Sequence, residues 1–159
     1  QSRSEESVLG ELAQIAGSKG FKGHISDMGG PTANMYRMRC RDPEVEKICR
    51  RPSCVHPTVC RLLDTSHSPL VQLMRKSREL RGVKKVHIAS GLRMDLARNE
   101  TQYIDELVRH HVGGHLKVAP EHVSDKVLDF MKKPPQNTFE EFARRLGRID
   151  ETFDGEGFG

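Results

Sequence analysis

The sequence predicts an α/β chain of parallel βα repeats, and three observations carry that expectation. Short apolar runs (FKGHISDM, VKKVHIAS and HLKVAP) alternate with segments whose apolar residues recur at helical spacing. The second and third runs lie about 30 residues apart, an ordinary βα repeat, whereas the first and second lie about 60 apart. Each run stops at a polar or glycine-opened stretch: SDMGGP, SGLRMD and APEHVS. Right-handed crossovers then give a parallel sheet. Three strands alone leave both edges bare, so the chain reads as an interior slice of a larger barrel or doubly wound sheet.

The helices follow in order. Ser2 with Glu5 predicts a capping box, and Val8, Leu9, Leu12, Ile15 and Ala16 form one face before Gly17 and Gly20. Ser68-Pro69 opens a second helix lined by Leu70, Leu73, Met74 and Leu80, with proline where no amide is missed. Asn99 and Gln102 are expected to cap a third, carrying Ile104, Leu107 and Val108 up to Gly113-Gly114. Ser124 begins a fourth (Val127, Leu128, Met131) that must stop before Pro134-Pro135. Thr138 with Glu141 caps a fifth bearing Phe139, Phe142, Leu146 and Ile149.

A chain of 159 residues makes one ordinary domain. There is no run of 18 apolar residues to span a membrane. A start at Gln-Ser-Arg shows no secretory leader, so the expected location is the cytoplasm, and the start suggests an excerpt of something longer. The formal charge of +4 is concentrated. Residues 37–61 hold seven Arg/Lys against three Asp/Glu, leaving 19 of each sign elsewhere. All four cysteines lie in the same window, inside an insertion over residues 31–67 that accounts for the long first repeat.

Chemistry in parallel α/β folds gathers at the carboxyl ends of strands. A single polar βα turn needs no further cause than chain reversal. Three in succession, with Asp27, Arg93 and Glu121 near one rim, predict a ligand site. Gly29 and Gly30 let a ligand approach the backbone, Arg93 suits a carboxylate, and Glu121 and Ser124 suit hydroxyls or an amine. The cysteines, Cys40, Cys49, Cys54 and Cys60, are spaced C-x8-C-x4-C-x5-C. That pattern is no zinc ribbon, but four thiols among Arg39, Arg41, Arg50 and Arg51 suit zinc or an iron–sulfur cluster, with His56 and His67 as further ligands. Reduced inert thiols are the plain alternative, and disulfides suit the expected compartment poorly. Of the late histidines His110, His111, His115 and His122, His111 falls on an apolar helix face and is expected in the core. His122 stands at a strand-end loop. The basic window also suits phosphate or nucleic acid, although Tyr36 alone makes no stacking platform.

The stretches SDMGGPTANMYRMRC, CRRPSCVHPTVC, KKVHIASGLRMDL and HHVGGHLKVAPEHVSDKVLDFMKKP together closely resemble the YgiQ family of radical S-adenosylmethionine proteins, from the first residue to about Arg148. The resemblance implies a partial, TIM-like (β/α) barrel over residues 1–149, followed by a glycine-rich tail at 150–159, truncated or disordered. It implies a [4Fe-4S] cluster, S-adenosylmethionine and reductive cleavage of that cofactor to a 5′-deoxyadenosyl radical. The CxxxCxxC that ligates such a cluster is absent here, so these strands correspond to the second, third and fourth of the barrel. Gly29-Gly30 sits where the family binds the cofactor's amino group, with Pro31 in place of the usual acid and Asp27 nearby. Ser90 and Arg93 end the next strand, where ribose or carboxylate contacts are made. Glu121-His122-Val123-Ser124 is similar to the Glu-x-x-Ser variant near the ribose.

The expectation is therefore a fragment of a radical S-adenosylmethionine enzyme that is inactive alone and needs the rest of its parent chain to complete the barrel. Its substrate is not legible in the sequence. The rival from another class is a zinc-stabilised basic module that binds RNA or another anionic partner. A nucleotide-binding α/β domain using SDMGGP is weaker, since no GxGxxG or GxxxxGK[ST] is present.

Overall fold

The computed structural model describes residues 2–30, 33–114, 116, 118 and 120–151, with side chains as far as Gly147. It is a mixed α/β chain. Among the described residues there are seven α-helices and a two-stranded parallel sheet. Strand β1 (His24–Ile25) pairs with β2 (Lys85–Val86), His24 against Lys85 and Ile25 against Val86. These strands are far shorter than the apolar runs suggest. Past the paired residues the ladder runs on through His87 N–H to the Ile25 carbonyl at 2.9 Å and Met28 N–H to the His87 carbonyl at 2.8 Å. Beyond that point the Asp27 carboxylate replaces main-chain acceptors, taking the N–H groups of Gly29 and Ala89. From the third expected strand a single parallel bridge is seen, Val118 to Leu92; His115, Lys117 and Ala119 lie outside the described residues.

Helix α1 (Glu5–Ala16) is capped by Ser4, whose hydroxyl accepts from Ser7 N–H at 3.1 Å, and not by Ser2. Ser2 instead accepts from the Arg37 N–H at 2.8 Å and ties the N-terminus to the insertion. Helix α2 (Pro43–Ile48) lies inside the insertion, where the apolar spacing predicts none. Its signal is Asp42-Pro43-Glu44: Asp42 caps the N–H groups of Glu44 and Val45, and Pro43 fills the first position. Helix α3 (Ser68–Arg78) buries Leu70, Val71, Leu73 and Met74 as its spacing requires, while Leu80 falls past its end. A short α4 (Met94–Ala97) precedes α5 (Thr101–His110). Glu100, rather than Asn99 or Gln102, occupies the cap position of α5, without a side-chain cap bond. Helix α6 (Asp125–Phe130) follows Ser124, and α7 (Gln136–Glu151) begins two residues before Thr138. The early start has a cause: Asp125 accepts the Gln136 N–H at 2.9 Å. Helix α7 also runs two residues into what the sequence marks as tail; residues 152–159 lie outside the described residues.

Two apolar clusters hold these pieces. Leu12, Ile25 and Val86 seat α1 against the sheet. The larger cluster joins α3, α4, α5 and α7 through Met74, Met94, Tyr103, Ile104, Leu107 and Phe142, all buried. At its margin Glu106 of α5, 4% exposed, is held by Arg75 at 2.8 Å and Arg78 at 2.5 Å from α3. His111 is fully buried, as its position on the apolar face suggests, with Nδ1 2.8 Å from the Val86 carbonyl. Desolvation holds its pKa down at about 4 despite that carbonyl and Glu106, so it packs as a neutral ring.

Candidate functional site

The two strand ends meet at Asp27. Its Oδ1 accepts from Gly29 N–H at 2.7 Å and from Ala89 N–H at 3.0 Å. Its Oδ2 accepts from the Ser90 hydroxyl at 2.6 Å. Burial pulls this carboxyl upward, but bonds from the Ser90 hydroxyl and from the Ala89, Gly29 and Ser90 N–H groups outweigh it, and the pKa lies below the usual aspartate value. Asp27 is thus a fixed, solvent-facing anion. Gly29 is required beside it, because a Cβ there would stand 2.6 Å from both Cβ and Oγ of Ser90 and 2.8 Å from Asp27 Oδ1. Gly30 faces open space. Four of the expected residues (Asp27, Gly29, Gly30 and Ser90) are therefore brought to one rim.

A cavity of about 580 Å³ adjoins it, lined by Gly29, Gly30, Met28, Met35, Tyr36 and Leu70 among others. That size falls within the range of small-molecule sites. Three methionines, Met28, Met35 and Met38, give its wall a soft apolar character, and the Arg3 beside them is paired with Glu11.

Arg93 does not point a free guanidinium at this rim. It pairs with Asp95 through Nε at 3.0 Å and Nη2 at 2.9 Å, and Nη2 also donates to the Val55 carbonyl at 3.1 Å. Its expected carboxylate partner is supplied by its own neighbour. The residue that holds this loop is Asn34, fully buried in a 3-10 turn at Ala33–Met35. Nothing in the local sequence marks it, since a turn asparagine and a buried clamp read alike. Asn34 Nδ2 also lies 3.3 Å from His67 Nε2. His67 is buried, stacked on Tyr103 at 4.5 Å and 3.7 Å from Glu100, so its ring serves the core rather than the thiols. Its pKa is lowered by desolvation, against the pull of Glu100.

Glu121 reaches past α6 and Ser124 bonds within its own loop, so among the described residues neither makes a contact with the rim residues. Glu121 adopts φ +65° and pairs with Lys133 at 2.7 Å. Ser124 precedes α6, and its N–H donates to His122 Nδ1 at 2.9 Å. Pro31 lies outside the described residues.

All four cysteines are free thiols, Cys49 exposed and the others half-buried. Burial raises the Cys54 thiol pKa, and Cys60, Cys49 and Cys40 raise it further against the Arg51 guanidinium. Among the described residues no three His, Cys, Asp or Glu side chains already form a metal's ligand set. His56 is 3.5 Å from Asp129 of α6. No helix among the described residues is long and apolar enough to cross a membrane.

Fold and rim together define a parallel α/β unit with a fixed carboxylate, two glycines and a serine at converging strand ends. The chain's homologues are UPF0313 proteins, and UPF0313 is the YgiQ family that its motifs resemble. It is 55% identical to the UPF0313 protein of Chromobacterium violaceum over 94% of its own length and 20% of the relative's. It is 57% identical to one from Bradyrhizobium diazoefficiens over 95% of its length and 23% of the relative's. It is 53% identical to one from Pseudomonas aeruginosa, covering 95% and 20%. The chain thus spans about one-fifth of the length of the curated relatives it matches. No family model and no solved structure matches it.

Proposed function

We propose that this chain is the part of a radical S-adenosylmethionine enzyme that supplies one wall of the cofactor pocket. The observation that carries the reading is the rim at Asp27, Gly29, Gly30 and Ser90 beside a 580 Å³ cavity. An anionic carboxylate suits the ammonium of an amino-acid cofactor, the open Gly30 backbone suits close approach, and the methionine-lined wall suits an apolar or thioether portion. When bound, S-adenosylmethionine would supply the 5′-deoxyadenosyl group. The ligands of the [4Fe-4S] cluster that reduces it are not in this chain, whose cysteines have the wrong spacing. The parent protein is the enzyme in this reading, acting in the cytoplasm on a substrate of unassigned class, and this segment binds without turning over.

Titrating S-adenosylmethionine into the chain while following backbone amide signals tests the reading. Shifts concentrated at Gly29, Gly30 and Ser90, lost in Asp27→Ala, are expected. No shift at millimolar ligand, or shifts that survive Asp27→Ala, would overturn it. After anaerobic reconstitution with iron and sulfide, the chain is expected to make no 5′-deoxyadenosine.

A second reading has its own support. All seven Arg and Lys side chains of residues 37–61 are exposed, so the insertion presents a basic surface of the kind that binds RNA. Binding of a single-stranded RNA that weakens steeply with salt, without S-adenosylmethionine shifts, would favour it.

A further inference from the structure

Residues 35–66 bury one hydrophobic side chain, Leu63. A lobe with so little core does not keep a fixed shape by apolar burial; chains in this position use disulfides or a metal. Disulfides are absent, since all four cysteines are free. Yet the backbone of this lobe is tied around those cysteines. Cys40 pairs with Leu63 in an antiparallel bridge, Leu63 N–H donates to the Cys60 carbonyl at 3.0 Å, and Cys60 N–H donates to the Cys54 carbonyl at 2.7 Å. Cys49 caps the C-terminus of α2, whose N-cap Asp42 lies two residues past Cys40. Arg51 stitches the remaining loop by donating to the carbonyls of Ser53 and Thr58.

We propose that Cys40, Cys49, Cys54 and Cys60 close on one thiophilic metal centre that staples the insertion in place of a hydrophobic core. The inference stands whether or not the rim binds S-adenosylmethionine. Zinc and an iron–sulfur unit share this four-thiolate donor chemistry. For a divalent ion, four thiols release four protons and the tetrathiolate carries a charge of −2. The exposed guanidiniums of Arg39, Arg41, Arg50, Arg51 and Arg61 stand in the same lobe to offset it. The backbone bonds hold Cys40, Cys54 and Cys60 in one lobe, and among the described residues no three thiols yet form a ligand set, so the metal supplies the final closure. The staple also reaches the loop after β2: Val55, next to Cys54, accepts from the Arg93 guanidinium through its carbonyl.

The test is to purify the chain anaerobically without chelator and measure bound zinc, iron and acid-labile sulfide, then count alkylated thiols before and after stripping the metal. About one zinc per chain without sulfide, or iron with sulfide, is expected, the two results telling the sources apart. All four thiols, including the exposed Cys49, should be protected until chelation. Each Cys→Ser variant should retain about tenfold less metal. Should those variants fail to fold, protection of the wild-type thiols still decides. Negligible metal after refolding with zinc, or with iron and sulfide, and four thiols that react at once, would overturn the proposal.

Discussion

The Asn34 carboxamide closes on both backbone polar groups of Arg93: Oδ1 accepts its N–H at 2.7 Å, and Nδ2 donates to its carbonyl at 2.9 Å. The side chain thereby acts as a strand would, joining the segment after β1 to the loop after β2. The nearby bond from Ala33 N–H to the Gly91 carbonyl, at 3.3 Å, extends the same seam. Replacing Asn34 by Leu leaves the half-buried Arg93 N–H without its partner, while the Arg93 carbonyl keeps the N–H groups of Leu96 and Ala97. A loss of about 1–3 kcal/mol is expected, read as a lower urea midpoint. Asn34→Asp, which keeps the shape but loses the donor to the carbonyl, should also destabilise at neutral pH.

Gly29 and Ser90 are coupled through space. Gly29→Ala places a methyl 2.6 Å from the Ser90 side chain, so Ser90 must give up its bond to Asp27. Destabilisation of about 1–3 kcal/mol is expected. Removing the obstacle in Gly29→Ala with Ser90→Gly should recover part of it, so a double-mutant cycle gives a non-zero coupling; strictly additive losses would show that the contact does not matter.

Glu106 anchors α5 to α3 as a buried carboxylate between two guanidiniums. Hydrogen bonds from Arg75 and Arg78 overcome desolvation and lower its pKa. Glu106→Gln removes the charge while Arg75 and Arg78 stay, and a loss of about 3 kcal/mol in unfolding free energy is expected.

His111 gives the fold a pH dependence of known sign. Its native pKa of about 4 lies below that of the unfolded chain, so the unfolded state binds the proton more readily. Its contribution is therefore constant above neutral pH and becomes destabilising as pH falls below about 6.5, reaching about 2 kcal/mol by pH 5. His111→Asn should flatten the stability profile between pH 7 and pH 5. An unchanged slope would show that the imidazole is not held neutral.

Much of the architecture follows from local rules that act within a few residues. The helical spacing of Leu70, Leu73 and Met74, the stop ahead of Pro134-Pro135 and the glycine at position 29 all follow from side-chain periodicity or backbone sterics, while Met131 falls just past the end of α6. The concentration of charge and cysteine in residues 37–61 is likewise a property of the chain itself. Partner choice is not legible there, because the direction of each side chain is set by the folded loop around it and not by its residue type. Arg93 carries the same guanidinium whether it faces a ligand or Asp95, and only the folded loop turns it toward Asp95 and Val55. His67 is a plausible thiolate companion by position, yet burial against Tyr103 takes it into the core. Asp27 is a candidate by its place after an apolar run; four hydrogen bonds across two strand ends make it a fixed anion. The sequence by itself determined which groups stand at the strand ends, since strand ends and turns are set by local chemistry. Tertiary structure decided which of them remain available there, because only packing brings a donor from one loop to an acceptor on another.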